Sequence, residues 1–257
     1  MRELLKIERV SFDSEGIELV GQLAVPQEIT FPRPAVLICP ATGMTKESYS
    51  DLLTSLCQAG LVALSFDYRG HGESAGEFDF VKAYHHDAPA ALAFLAGQEA
   101  ADSQLMGIFG HSLGINIAIW SAKDEPRIRA IALWAVGGRV STFYEKNPVD
   151  ILAVIMPRVR GVHQLIARYK EMGREQFMKL VSHYDAVENI GALPPRPVLI
   201  VQGDSDAFWS LDDAYELRDR GAPSTTVVVI EGGDHVFSRQ REVAIGTTVD
   251  WLRKNLV

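Results

Sequence analysis

Cysteine is scarce in this chain: Cys39 and Cys57 are the only two in 257 residues. Two thiols make no disulfide framework, and both fall in segments that read as regular structure, so buried free thiols are expected. No window approaches the roughly 18 consecutive apolar residues of a membrane-spanning helix. The start, Met1-Arg2-Glu3-Leu4-Leu5-Lys6-Ile7-Glu8-Arg9, interleaves charged and apolar residues and lacks the unbroken apolar core of a signal peptide. A cytoplasmic protein that does not engage a membrane is the expectation. Basic residues are outnumbered, 25 Lys and Arg against 33 Asp and Glu, for a net charge of -8. Nucleic acid, which selects basic surfaces, is therefore not expected as a partner. The seven histidines show no metal-ligand spacing. No G-x-G-x-x-G or phosphate loop follows a strand, so neither a metal nor another cofactor is expected.

What the chain does have is apolar sequence in a regular rhythm. Hydrophobic residues make up 47% of it, enough for one large α/β domain, or one domain carrying an insertion. Residues 7–12 and 17–25 alternate in polarity around the turn Asp13-Ser14-Glu15-Gly16, which predicts an antiparallel hairpin. From Pro34 the pattern becomes strand, loop, helix: strands over 35–39, 61–66, 105–109, 128–134, 197–201 and 225–230. Between them fall predicted helices over 50–59, 80–95, 115–122 and 211–220, with a last one over 239–256. Continuous apolar strands alternating with helices imply a mostly parallel central sheet with helices on both faces. The rhythm stops between residues 136 and 193, where prolines and glycines break an apolar stretch into short helical pieces. The expected organisation is a core of residues 1–135 and 194–257, with 136–193 a helical cap over the sheet's carboxyl edge.

The chemistry centres on Gly110-His111-Ser112-Leu113-Gly114, set between the strand ending at Phe109 and the helix from Ile115. A serine on a sharp strand-to-helix turn flanked by glycines presents its hydroxyl as a nucleophile. That hydroxyl needs a base, usually imidazole, and the imidazole needs a carboxylate to fix its tautomer. The turn resembles the nucleophile elbow of the α/β-hydrolases, and that resemblance implies the order serine, acid, histidine along the chain, each on a loop after a strand. His71 lies upstream of the serine, His85 and His86 in a predicted helix, and His163 and His183 in the cap. His111 is adjacent to the serine, so its side chain leaves the turn in another direction. Only His235 follows the last predicted strand, in Glu231-Gly232-Gly233-Asp234-His235, and it is the expected base. The acid loop reads Gln202-Gly203-Asp204-Ser205-Asp206-Ala207-Phe208-Trp209. Asp206, deeper in the loop, is favoured over Asp204, which could instead shape the loop through an Asx-turn. Asp234 is expected to cap its own loop. The oxyanion needs backbone donors. One is the Leu113 amide; the other comes from Cys39-Pro40-Ala41-Thr42-Gly43-Met44, where Pro40 has no N–H, leaving Thr42, preferred, or Ala41.

These motifs resemble the α/β-hydrolase superfamily, and within it the serine esterases, lipases and aminopeptidase-like members. The resemblance runs over nearly the whole chain. Gly110-His111-Ser112-Leu113-Gly114 matches the nucleophile elbow, Gly203-Asp204-Ser205-Asp206 the G-x-x-D acid loop, and His235 the histidine. Asp67-Tyr68-Arg69-Gly70-His71-Gly72-Glu73-Ser74 is similar to the family's structural D-x-R-G-x-G-x-S loop. One departure is Pro40-Ala41, where many members carry His-Gly. The resemblance implies a serine hydrolase working through an acyl-enzyme on Ser112, with an ester or thioester of a small-molecule acyl group as substrate. The apolar cap and Phe208-Trp209 are the expected acyl pocket. The alternative is a peptidase for short peptides, with Glu145, Asp150, Glu171 or Glu175 of the cap holding the substrate amine. A perhydrolase, cofactor-free oxygenase or binding protein on the same scaffold is the third reading.

Overall fold

The computed structural model describes residues 5–27, 32–193 and 195–257. Eight strands form one sheet: β1 (Leu5–Ser14), β2 (Ile17–Pro26), β3 (Arg33–Cys39), β4 (Val62–Phe66), β5 (Ala101–His111), β6 (Ile128–Trp134), β7 (Val198–Gly203) and β8 (Thr225–Ile230). Their order is β1-β2-β4-β3-β5-β6-β7-β8, with β1 and β2 antiparallel and every pair from β4 onward parallel. The hairpin turn is the dipeptide Glu15-Gly16, both residues at positive φ, a turn whose twist suits two antiparallel strands.

The helices are α1 (Ser50–Gln58), α2 (Phe80–Lys82), α3 (Ala88–Ala96), α4 (Leu113–Lys123), α5 (Val140–Lys146), α6 (Ile151–Ile155), α7 (Val162–Met172), α8 (Arg174–His183), α9 (Ala186–Asn189), α10 (Leu211–Arg220) and α11 (Arg241–Leu256). Strand residues alternate between the two faces, as the period of two requires. Val36, Ile38, Ala63, Phe109 and Ala132 pack with α1 and α11, while Ala35, Leu37, Leu64, Ile108 and Leu133 pack with α3, α4 and α10. Each fully buried Leu or Ile contributes roughly 1.5–3 kcal/mol by leaving water. Both cysteines are buried free thiols.

The structure departs from the expected elements in two places. The single helix expected over 80–95 is α2 and α3 joined by a wider π turn, Ala83–Asp87. Asp87, which ends that turn, keeps a helical backbone while its carboxylate accepts hydrogen bonds from Arg69 and Ser14. The strand expected over 105–109 extends to Ala101–His111 because its start pairs with Arg33 and Pro34 across a register shift.

Helices α5 to α9 occupy the segment 136–193 between β6 and β7. The expected boundary at residue 194 lies outside the described residues. The segment is tied to the loop after β4 by backbone bonds from Arg160 N–H to the Gly70 carbonyl and from Phe78 N–H to the Arg160 carbonyl, each 2.9 Å. The Arg160 guanidinium adds bonds to the Gly72, Ser74 and Gly76 carbonyls. No helix among the described residues is long and apolar enough to cross a membrane, and no acidic, His or Cys cluster there could hold a metal ion.

Candidate active site

Ser112 sits between the end of β5 and the first residue of α4, with φ 54° and ψ -116°. A non-glycine residue in this region carries strain on the order of 1–3 kcal/mol. It is held there by the Ser112 N–H bond to the Trp134 carbonyl and by the Ile115 N–H bond to its own carbonyl. The flanking glycines are steric necessities. A Cβ on Gly110 would run into the Gly114 carbonyl, and one on Gly114 into the Cys39 carbonyl at the end of β3. The start of α4 is thereby pressed against the loop that follows β3.

His235 and Asp206 come to Ser112 from the loops after β8 and β7. A side chain on Gly203 would collide with the Gly233 carbonyl, so these loops approach backbone to backbone, joined by the Ser205 N–H bond to Gly233. Asp204 adds a second tie by accepting from the Gly232 N–H at 2.7 Å, a link between loops rather than the Asx-turn considered from sequence. Asp234 accepts from the Val236 and Ser238 amides within its own loop.

The His235 Nδ1 lies 2.9 Å from Asp206 Oδ2, and its Nε2 lies 3.2 Å from Ser112 Oγ. An ionised carboxylate only accepts, so Nδ1 carries the proton and the bare Nε2 faces the serine hydroxyl. Asp206 has a fully buried side chain. Burial alone would raise its pKa, but the bond from His235 and those from the Phe208 and Trp209 amides outweigh this and hold it below the usual 3.8. Gln202, buried at the end of β7, braces the pair: its Nε2 donates to Asp206 Oδ2, and its Oε1 accepts from Val136 N–H.

A second chain of hydrogen bonds runs behind the serine. The Ala41 N–H donates to Tyr49 Oη at 2.8 Å, and Tyr49 Oη lies 2.8 Å from His111 Nδ1. His111 Nε2 lies 2.9 Å from the His235 carbonyl oxygen. That oxygen only accepts, so Nε2 is the protonated nitrogen of His111 and Tyr49 donates to Nδ1. Burial, then the neighbouring His235, push the His111 pKa down to about 3, keeping it neutral. Tyr49 thus joins the loop after β3 to the loop that carries His235. The loop after β3 is also pinned at Lys46, whose amide and ammonium both bond the buried carboxylate of Asp67 at 2.8 and 2.9 Å.

Beside Ser112 opens a cavity of about 180 Å³. Ala41, Thr42 and Leu113 line it, with Phe208 beside the His235 ring, Trp209 against Phe143, and Val140, Phe143, Tyr144 and Ile155 from the 136–193 segment. Met44, Phe80, Asn116 and Gly137 complete the wall. Glu145, Asp150, Glu171 and Glu175 are all exposed and none lines it. Sequence reasoning missed Tyr49, Gln202 and Asn116. Tyr49 lies just before a predicted helix, Asn116 within one and Gln202 at a strand end, and no local pattern separates these side chains from an ordinary core or surface position.

A parallel sheet led by an antiparallel hairpin, with a serine on the turn between β5 and α4, is the architecture of the α/β hydrolases. The chain belongs to the Hydrolase_4 family, described as serine aminopeptidase, S33, whose model matches residues 30–189. Among curated proteins it is similar to an uncharacterized protein of Mycobacterium tuberculosis, 28% identical over 202 residues, covering 79% of this chain and 63% of that protein. The chain therefore spans less than two thirds of that relative's length. It is also 30% identical over 127 residues to the 2,6-dihydropseudooxynicotine hydrolase of Paenarthrobacter nicotinovorans, covering 49% of this chain and 34% of that one. Among solved structures, Est1E from Butyrivibrio proteoclasticus with ferulic acid bound superposes with a TM-score of 0.78 at 15% identity, over 96% of this chain and 98% of that one.

Proposed function

We propose that the protein is a serine hydrolase acting on carboxylic esters or thioesters. The observation that carries this reading is the chain Asp206–His235–Ser112, with contacts of 2.9 and 3.2 Å, opening onto an apolar cavity. Ser112 Oγ attacks the acyl carbonyl as its proton passes to His235 Nε2, and Asp206 stabilises the resulting imidazolium. The negative oxygen of the tetrahedral intermediate is met by the Leu113 amide, at the start of α4, and by the Thr42 amide. Ala41 is the weaker candidate for the second donor because its N–H is already given to Tyr49. His235 then protonates the departing alcohol or thiol. A water, deprotonated by the same imidazole, releases the acid and restores Ser112.

The family takes its description from a peptidase, but an aminopeptidase needs an anion near the cavity to hold the substrate's ammonium group. No carboxylate lines this cavity among the described residues, which favours uncharged acyl groups. The related hydrolase and the ferulic acid bound to Est1E are in keeping with a small organic substrate.

The test is covalent labelling by a fluorophosphonate together with hydrolysis of p-nitrophenyl hexanoate. Both are expected in the native protein and absent from Ser112→Ala, where the residual rate should fall by at least about a thousandfold. Undiminished turnover in that variant would overturn the reading.

A further inference from the structure

Asn116 is out of place in the cavity wall. It lies on α4, four residues after Ser112, among Ile115, Ile117, Ala118 and Ile119, which the core accounts for. It is 2% exposed and lines the cavity, and its Oδ1 has no hydrogen-bond partner among the described residues. A buried amide oxygen left unpaired is destabilising, and an apolar side chain of similar size would carry no such cost. Its presence is accounted for if a ligand supplies the missing donor.

The position indicates which part of a substrate would do so. Phe208 is 55% exposed and its ring lies 4.8 Å from that of His235, marking the open end of the cavity. Phe80, Leu113, Val140 and Tyr144 also line a smaller cavity of about 20 Å³ and mark the closed end. The leaving group must meet His235 to be protonated, so the acyl chain takes the closed end. Asn116 lies in the first turn of α4, whose start Ser112 precedes, so the two are about 6 Å apart along the axis. Side chains of a helix lean toward its N-terminus, so the amide reaches back toward the reacting carbonyl.

We infer that Asn116 is a specificity residue that binds a hydroxyl on the β-carbon of the acyl group, making short β-hydroxyacyl esters or thioesters the substrate class. The inference rests on the serine-hydrolase reading. The hydroxyl donates to Oδ1 and can accept from the amide's own NH2. A keto oxygen could not satisfy Oδ1, because it has no proton to give. An ammonium would lie buried without a carboxylate partner. A site built to bond a substrate hydroxyl discriminates strongly against the analogue that lacks it.

The experiment compares p-nitrophenyl hexanoate with p-nitrophenyl β-hydroxyhexanoate on the native protein and on Asn116→Leu. The native protein should favour the hydroxylated ester by about tenfold or more in kcat/KM, chiefly through KM, and Asn116→Leu should lose that preference. Asn116→Leu should also melt at a higher temperature than the native protein, since it removes the unpaired amide. Should that variant fail to fold, calorimetric binding of β-hydroxyhexanoate and hexanoate to Ser112→Ala gives the same comparison, with the hydroxy acid bound more tightly. Equal kcat/KM for the two esters, or a preference that survives in Asn116→Leu, overturns the role of Asn116 and leaves the hydrolase standing. Equal binding of the two acids does the same. Failure of the native protein to hydrolyse either ester, with no fluorophosphonate labelling, overturns both.

Discussion

Tyr49 contributes one oxygen to the site, and that oxygen connects two loops that the chain delivers separately. It accepts from Ala41 beside the expected oxyanion donors and donates to His111, which in turn holds the His235 carbonyl. Replacing Tyr49 with Phe leaves the Ala41 amide and His111 Nδ1 without this partner while keeping the ring packed against Phe109. Misplacement of catalytic groups by a fraction of an ångström acts on the transition state more than on substrate binding. Tyr49→Phe should therefore lower kcat by about tenfold with KM little changed, as steady-state kinetics on an activated ester would show. An unchanged kcat would mean that Tyr49 only fills space. Ser112, Asp206 and His235 could be picked out from the sequence because each follows an apolar strand and His235 alone follows the last one. Tyr49 and Gln202 could not, since each acts through a bond to a residue more than 60 positions away, His111 and Val136, and the unpaired oxygen of Asn116 shows only once the cavity is formed.

At the scale of the element, the strands declare themselves through apolar runs, and the helices through the glycines, prolines and polar residues that end them. What the local pattern does not carry is an element's distant partner. The placing of β4 between β2 and β3 leaves no mark on β4 itself. The helical stretch from Phe80 to Ala96 is a sharper instance. Its apolar periodicity is helical, but Asp87 bonds to Arg69, 18 positions away, and to Ser14, 73 positions away, and the π turn ends at that residue. Arg69 and Asp87 are both buried, so each charge depends on the other. Removing one member of a buried pair costs about 3–5 kcal/mol because the remaining charge is stranded. Asp87→Ala should thus lower the urea unfolding free energy by about that amount. A loss smaller than about 1 kcal/mol would show that water reaches Arg69 once the carboxylate is gone.

Across the whole molecule, two buried histidines make stability depend on acidity. His71 donates from Nδ1 to the Arg69 carbonyl, packs edge-on against Phe78, and is pushed down by burial to a pKa of about 4. His111, behind Ser112, is pushed down to about 3. In the unfolded chain both would titrate near the ordinary value of 6.5. Between that value and the folded ones the unfolded chain binds protons that the native protein refuses, so falling pH favours unfolding. The stabilisation is complete above pH 6.5 and drains away as the pH drops, ending near 4 for His71 and near 3 for His111. Asp206, held below its usual range, extends the same trend at the acid end. For His71 alone the loss is roughly 3 kcal/mol across the window, at about 1.4 kcal/mol per pKa unit. Urea unfolding free energies measured from pH 7 to pH 4 should fall steadily in the native protein. In His71→Gln, which keeps a donor for the Arg69 carbonyl but does not titrate, the curve should be shallower over the same range. A parallel curve in that variant would mean that His71 takes up its proton at the same pH in the folded protein as in the unfolded chain, on the Nε2 that has no partner among the described residues.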